Sequence, residues 1–212
     1  MKKIGFVLLI AGIMIMVWFG YGQWKAVQSA HTLNENVSKA FDKGTKPKAD
    51  GGANSQAAGQ EPPPVPHYKT GERVARLVIP KIKESYDVFW GTDKKTLEKG
   101  AGMYVSRWTV PPGYGGHTVI SGHRDTVFRP LKDLKKGDMV YVNYKGVDYQ
   151  YEIKKIWITN ADDRTVIVKK DKPTLTLTTC YPFYYVGNAP DRYIIQGELV
   201  KKGDLLKDRS LK

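Results

Sequence analysis

Any chemistry in this chain starts from one thiol. Cys180 is the single cysteine among 212 residues, so neither an intrachain disulfide nor a cysteine-rich zinc cluster can form. It ends the alternating run TLTLTTC and is followed at once by Tyr181 and Pro182. Proline has no amide hydrogen for a ladder, so the strand is expected to stop there and leave the thiol at its mouth. The neighbours Thr178, Thr179 and Tyr181 are not the apolar setting of a structural cysteine. A lone cysteine is nevertheless more often a small core residue than a nucleophile, and as a nucleophile it needs an activating partner.

Four histidines are available. His31 and His67 fall in a polar segment and are expected to be solvated. His117 and His123 bracket one short apolar strand, which separates them by about 20 Å at the rise of an extended chain. Only one can therefore share a site with Cys180. His123 follows Ser121-Gly122 at the strand's end and opens the loop HRDT, a good position for proton transfer. His117 is expected to play only a modest structural part. Arg192 stands twelve residues after Cys180, at the start of the last strand. A hairpin across 181–190 would bring its guanidinium beside the thiol, where it could hold an oxyanion or a carbonyl. Asp125 and Asp191 are weaker candidates for orienting His123, and the two-residue separation from Asp125 makes that geometry awkward.

These residues need a β framework. From Glu72 onward, short β-rich runs alternate with turns: 73–80, 85–90, 115–123, 139–144, 147–159, 165–168, 173–180 and 191–200. Lys145-Gly146 reads as a hairpin turn. Residues 93–99 and 128–134 read as helical turns, the first stopped by Gly100. About eight short strands with small helices point to a mainly β fold, a closed or nearly closed barrel rather than a βαβ sheet.

The N-terminal third differs. Residues 4–24 carry no charged side chain, long enough to cross a bilayer core and longer than a cleaved signal's apolar region. An uncleaved anchor is expected over 1–24, with Lys2 and Lys3 on the inside and the rest of the chain outside the cell. Residues 25–70 read as a stalk rich in Gly, Ala, Pro, Gln and Ser, too poor in large apolar residues to build a core. A short helix over Ala26 to Phe41 could continue from the membrane. Residues 71–200 form the folded unit, and 201–212 a polar, frayed tail. The formal charge of +13 lies mainly in the folded part and fits an anionic wall polymer or membrane surface as well as plain solubility.

Together, the anchor, the strand ending in Thr176-Leu177-Thr178-Thr179-Cys180, the upstream His123 and the downstream Arg192 resemble the sortases, membrane-anchored cysteine transpeptidases of Gram-positive bacteria whose motif is TLxTC. The resemblance covers about residues 72–200. Gly122 to Phe128 (GHRDTxF), the following LKDLKKGD and a compact 181–190 loop look like class D, with class A the nearest rival; the lid motif and second anchor of class C and the helical insertions of class B are missing. The resemblance implies an eight-stranded barrel and a two-step acyl transfer. Cys180 would attack the threonyl carbonyl of the Thr–Gly (or Thr–Ala) bond in an LPxTG-like sorting signal, His123 would move the proton, Arg192 would hold the oxyanion or the substrate backbone, and Thr179 would add a hydrogen bond to substrate. The acceptor would be an amine of a peptidoglycan precursor or cross-bridge.

No phosphate-binding, dinucleotide or HExxH motif occurs, and neither a cofactor nor a nucleic-acid partner is expected. Asp162, Asp163 and Asp171 could in principle hold calcium, but no resident metal is expected. A secreted cysteine peptidase and a non-enzymatic wall-binding module remain the alternatives.

Overall fold

The computed structural model describes residues 9–17, 21, 30–32, 65–184, 187 and 189–204. Among the described residues nine strands form one sheet: β1 (Ala30–Thr32), β2 (Arg73–Ile79), β3 (Glu84–Trp90), β4 (Ala101–Met103), β5 (His117–Ser121), β6 (Met139–Tyr144), β7 (Val147–Asn160), β8 (Thr174–Tyr181) and β9 (Asp191–Gly203). The order β3-β2-β6-β7-β9-β8-β5-β4 closes through a β3–β4 pairing into an eight-stranded barrel, and β1 adds to the free part of the β3 edge. All pairings are antiparallel except β3–β4 and β5–β8. Closure leaves little unpaired edge.

Period-2 alternation fills the interior. Leu77 and Ile79 of β2, Tyr86 and Val88 of β3, Ile120 of β5, Val140 and Val142 of β6, Tyr151 and Ile153 of β7, Leu175 and Leu177 of β8 and Ile195 of β9 build one core. The β6–β7 hairpin turns at Lys145 and Gly146, both with positive φ (51° and 77°), the backbone that a two-residue turn between twisted strands requires. Asp93 caps the one-turn helix Lys94–Leu97 by accepting from the Thr96 amide, and residues 129–133 form a 3-10 turn.

Several elements depart from the sequence reading. The apolar run 165–168 is not a strand; it belongs to the long β7–β8 loop, because no barrel edge is left to pair with it. The three-residue β4 was too short and glycine-rich to register as a strand. Ala30–Thr32 are extended rather than helical, and they pair with Tyr86, Ser85 and Glu84 of the barrel. Contacts with the barrel also begin before residue 71: Tyr68 bonds the Tyr144 hydroxyl at 2.9 Å and packs on Trp90. At the other end β9 continues to Gly203. Residues 9–17 are helical and Leu9, Met14, Ile15 and Met16 are exposed. Among the described residues no helix is long and apolar enough to cross a membrane. Much of the expected 4–24 span, most of the stalk and residues 205–212 lie outside the described residues.

Candidate active site

Alternation decides where the thiol points. Leu175 and Leu177 face the core, so Thr176, Thr178 and Cys180 project from the outer face of β8. The same parity sends Arg192, Ile194 and Gln196 outward on β9, because Ile195 is in the core. Cys180 is the direct cross-strand partner of Arg192, and Thr178 that of Ile194. The hairpin inferred from the twelve-residue spacing therefore forms, and it closes through a cis Tyr181–Pro182 peptide. Cys180 is half-buried; it ends one residue short of the strand's last member, Tyr181.

β5 runs parallel to β8 with Ser121 opposite Thr178, so the chain leaves β5 beside Cys180. His123 follows after one residue. Its backbone is held from both sides. The Gly122 amide donates to Thr178 O at 3.2 Å, and the Phe128 amide donates to His123 O at 2.9 Å. The Thr179 hydroxyl donates to Gly122 O at 2.7 Å. Glycine is required at 122 because a Cβ there would lie 2.8 Å from the Phe128 ring, closer than carbon atoms pack.

Cys180, His123, Arg192 and Thr179 line one cleft of about 370 Å³. Its floor is the outer face of β5, β8 and β9 and one wall is the 161–173 loop, which contributes Val166 and Ile167. Tyr104, Thr92 and Leu97 close another side. Sequence reasoning missed these walls. The sequence offered only an apolar run flanked by Asp163 and Lys169, which reads equally as a strand.

The Arg192 guanidinium donates through Nη1 to the carbonyls of Ala189 (3.2 Å) and Asp191 (3.0 Å), so it also shapes its own loop. Arg124 donates to Gly187 O and Lys132 to the Tyr184 hydroxyl, each at 2.8 Å, tying the 181–190 loop to the segment after His123. Neither Asp125 nor Asp191 lines the cleft. The Asp163 carboxylate accepts from the hydroxyls of Thr159 and Thr165 and from the Thr165 amide. The Thr159 bond, foremost, holds its carboxyl below the usual carboxylate range.

His117 has a larger structural role than its sequence suggested. It is fully buried. Nδ1 bonds Val168 O at 2.7 Å and Nε2 bonds Thr176 Oγ1 at 2.8 Å. Burial first, and the charge of Lys170 after it, push the imidazole below its ordinary value.

A half-buried thiol, an imidazole and a guanidinium thus line one cleft on a closed barrel, groups whose chemistry suits a cysteine nucleophile. The sortase domain family matches residues 77–200. Sortase D of Bacillus subtilis is 37% identical over 201 residues, covering 94% of this chain and all of that protein, and the chain belongs to the sortase family. A sortase A of Bacillus anthracis is 25% identical over 131 residues, 60% of each chain. Among solved structures, the catalytic domain of Bacillus anthracis SrtD is 54% identical with a TM-score of 0.58, covering 70% of this chain and 98% of that one. The Clostridium perfringens sortase D5 transpeptidase is 30% identical with a TM-score of 0.57, covering 64% and 83%. The chain is thus a cysteine transpeptidase with class D homologues.

Proposed function

We propose that this enzyme cleaves an LPxTG-like sorting signal after its Thr and transfers the acyl half to an amine of a peptidoglycan precursor or cross-bridge. The pairing of Cys180 opposite Arg192 at the mouth of a cleft shared with His123 carries this reading. In the acylation step the Cys180 thiolate adds to the threonyl carbonyl. The Arg192 donors not committed to Ala189 and Asp191 stabilise the oxyanion. Collapse breaks the C–N bond, and His123 gives its proton to the leaving amine. In the second step His123 takes a proton from the incoming amine, which attacks the thioester and releases Cys180. Thr179 lines the cleft beside the nucleophile, and with its buried hydroxyl donated to Gly122 O it serves substrate binding by holding the backbone next to His123. An N-terminal anchor with the catalytic barrel outside the cell would bring this site to substrates that are themselves tethered at the membrane.

The experiment is mass spectrometry of the full chain with an LPxTG-like peptide, with and without an amine acceptor. A Cys180 adduct equal to the peptide less its C-terminal fragment is expected, chased to an amide by the amine. Absence of any adduct, or an adduct that survives Cys180→Ala, overturns the reading.

A further inference from the structure

The outer face of β8 and β9 changes character along its length. At the Cys180 end it opens into the cleft. At the Thr176 end it is sealed, and Thr176 and His117 are fully buried although both point away from the barrel core. A polar chain fills that space. The Val168 carbonyl can only accept, so the proton of His117 is on Nδ1, which donates to it. In the neutral ring Nε2 accepts from the Thr176 hydroxyl, and the Thr176 oxygen accepts from Gln196 Nε2 at 3.1 Å. This arrangement gives the ring N–H and the Thr176 hydroxyl one acceptor each, and it is the assignment of a neutral ring protonated on Nδ1.

Val168 follows directly on Val166 and Ile167, the apolar wall of the cleft. The 161–173 loop that carries them pairs with no strand. Its front is tied down by the Ala161 amide donating to Pro190 O and by Asp163 to Thr159 and Thr165; its last residue, Pro173, accepts from the Leu199 amide of β9 at 3.1 Å, and between these ends the Val168 carbonyl is held by His117. We propose that His117 is a positioning residue for the transfer site. Through Val168 it sets how close the Val166–Ile167 wall stands to the floor of the cleft, and so how tightly an extended peptide is gripped. The inference rests on the reading that this cleft takes the sorting peptide. It adds a residue that touches neither substrate nor thiol but acts on affinity from behind the wall.

Two substitutions separate the bonds of the ring. An asparagine amide nitrogen falls near the place of Nδ1 and can keep the Val168 bond, whereas a glutamine amide falls near Nε2 and keeps only the Thr176 side. In steady-state kinetics on one LPxTG-like peptide, His117→Gln should raise KM about three- to ten-fold, the size of one net hydrogen bond, with kcat within about two-fold. His117→Asn should keep the wild-type KM. Equal KM values in all three proteins, or equal rises in both variants, overturn the proposal. A second readout needs no turnover, since Cys180 is the only thiol in the chain. The ratio of its labelling rates with small iodoacetamide and a bulky maleimide should change in His117→Gln and not in His117→Asn; an unchanged ratio in both counts against the pin. If the wild type forms no acyl adduct, the proposed substrate fails while this ratio still decides the role of His117. If the variants do not fold, nitrogen-15 NMR of the wild-type imidazole decides. A neutral ring protonated on Nδ1 at neutral pH is expected; the other tautomer, or a charged ring, overturns the proposal.

Discussion

His117 and His123 flank one strand, and the barrel treats them in opposite ways. His123 leaves β5 into a loop that lines the open cleft. His117 starts the same strand beneath the 161–173 loop and is fully buried, with both ring nitrogens bonded. The outer faces they belong to are built from similar residues: Thr178 and Cys180 at one end, Thr176 at the other. The difference is the roof. Where the roof ends, the imidazole lines open space; where it closes, burial disfavours the charged ring, which bonds both strand and loop. The proposed roles of the two histidines, proton carrier and structural pin, thus follow from what covers each ring.

The sharpest way to break this comparison is at the open end. Cys180→Ala should abolish transfer, with thermal stability little changed because the strand end tolerates a small side chain; any remaining amide product would refute the thiol mechanism. His123→Ala should lower kcat/KM by about 10²–10⁴, the usual worth of a positioned acid and base. A comparable loss in kcat from His117→Ala would mean that the two histidines had been assigned the wrong way round.

Arg192 comes next. Arg192→Lys should be nearly as damaging as Arg192→Ala, about 10²–10³ in kcat/KM, because an ammonium cannot hold the Ala189 and Asp191 carbonyls and an oxyanion with one planar fork. A lysine variant within a few-fold of wild type would reduce the residue to a source of positive potential.

At the closed end the expected effect is on stability. His117→Ala should cost about 2–4 kcal/mol in denaturant unfolding, since it opens a cavity and orphans a buried carbonyl and hydroxyl. The pH dependence has a definite sign. The folded-state pKa of His117 lies below the 6.5 of a free imidazole, so over that interval the unfolded chain binds more protons. Stability from this ring is therefore fully present above 6.5 and is lost as pH falls through the folded value. The slope of melting temperature against pH below 6.5 should be shallower in His117→Asn than in wild type; identical slopes would show that the buried ring is not what titrates.

The smallest effect is expected where the two ends meet. Thr179 is buried and donates to Gly122 O beside His123. Thr179→Val should lower kcat/KM by about three- to ten-fold, one hydrogen bond's worth, and Thr179→Ser should restore it. A valine variant as active as wild type would leave the hydroxyl without a part in the site.

Much of this site could be read from local rules. Pro182 predicts the end of β8 because a residue without an amide hydrogen cannot extend a ladder, and β8 does end at Tyr181. The run from Cys180 to Arg192 is the length of a hairpin, and the two residues are paired. His123 beyond Gly122 was legible because a glycine before a loop histidine signals close approach, here of the Phe128 ring. These are short-range properties of covalent geometry and alternation, which the chain carries wherever it goes. The walls of the cleft were not legible in that way. Val166 and Ile167 read as one more strand until closure of the barrel through β3–β4 leaves no edge for them. Only then does an apolar run become a wall, and only then does a histidine on the outside of the barrel become a buried one. Burial is a property of what the rest of the chain places on top of a residue, so the residue types of the candidate site were written in the sequence, while the separation of an open cleft end from a sealed end was settled by tertiary packing.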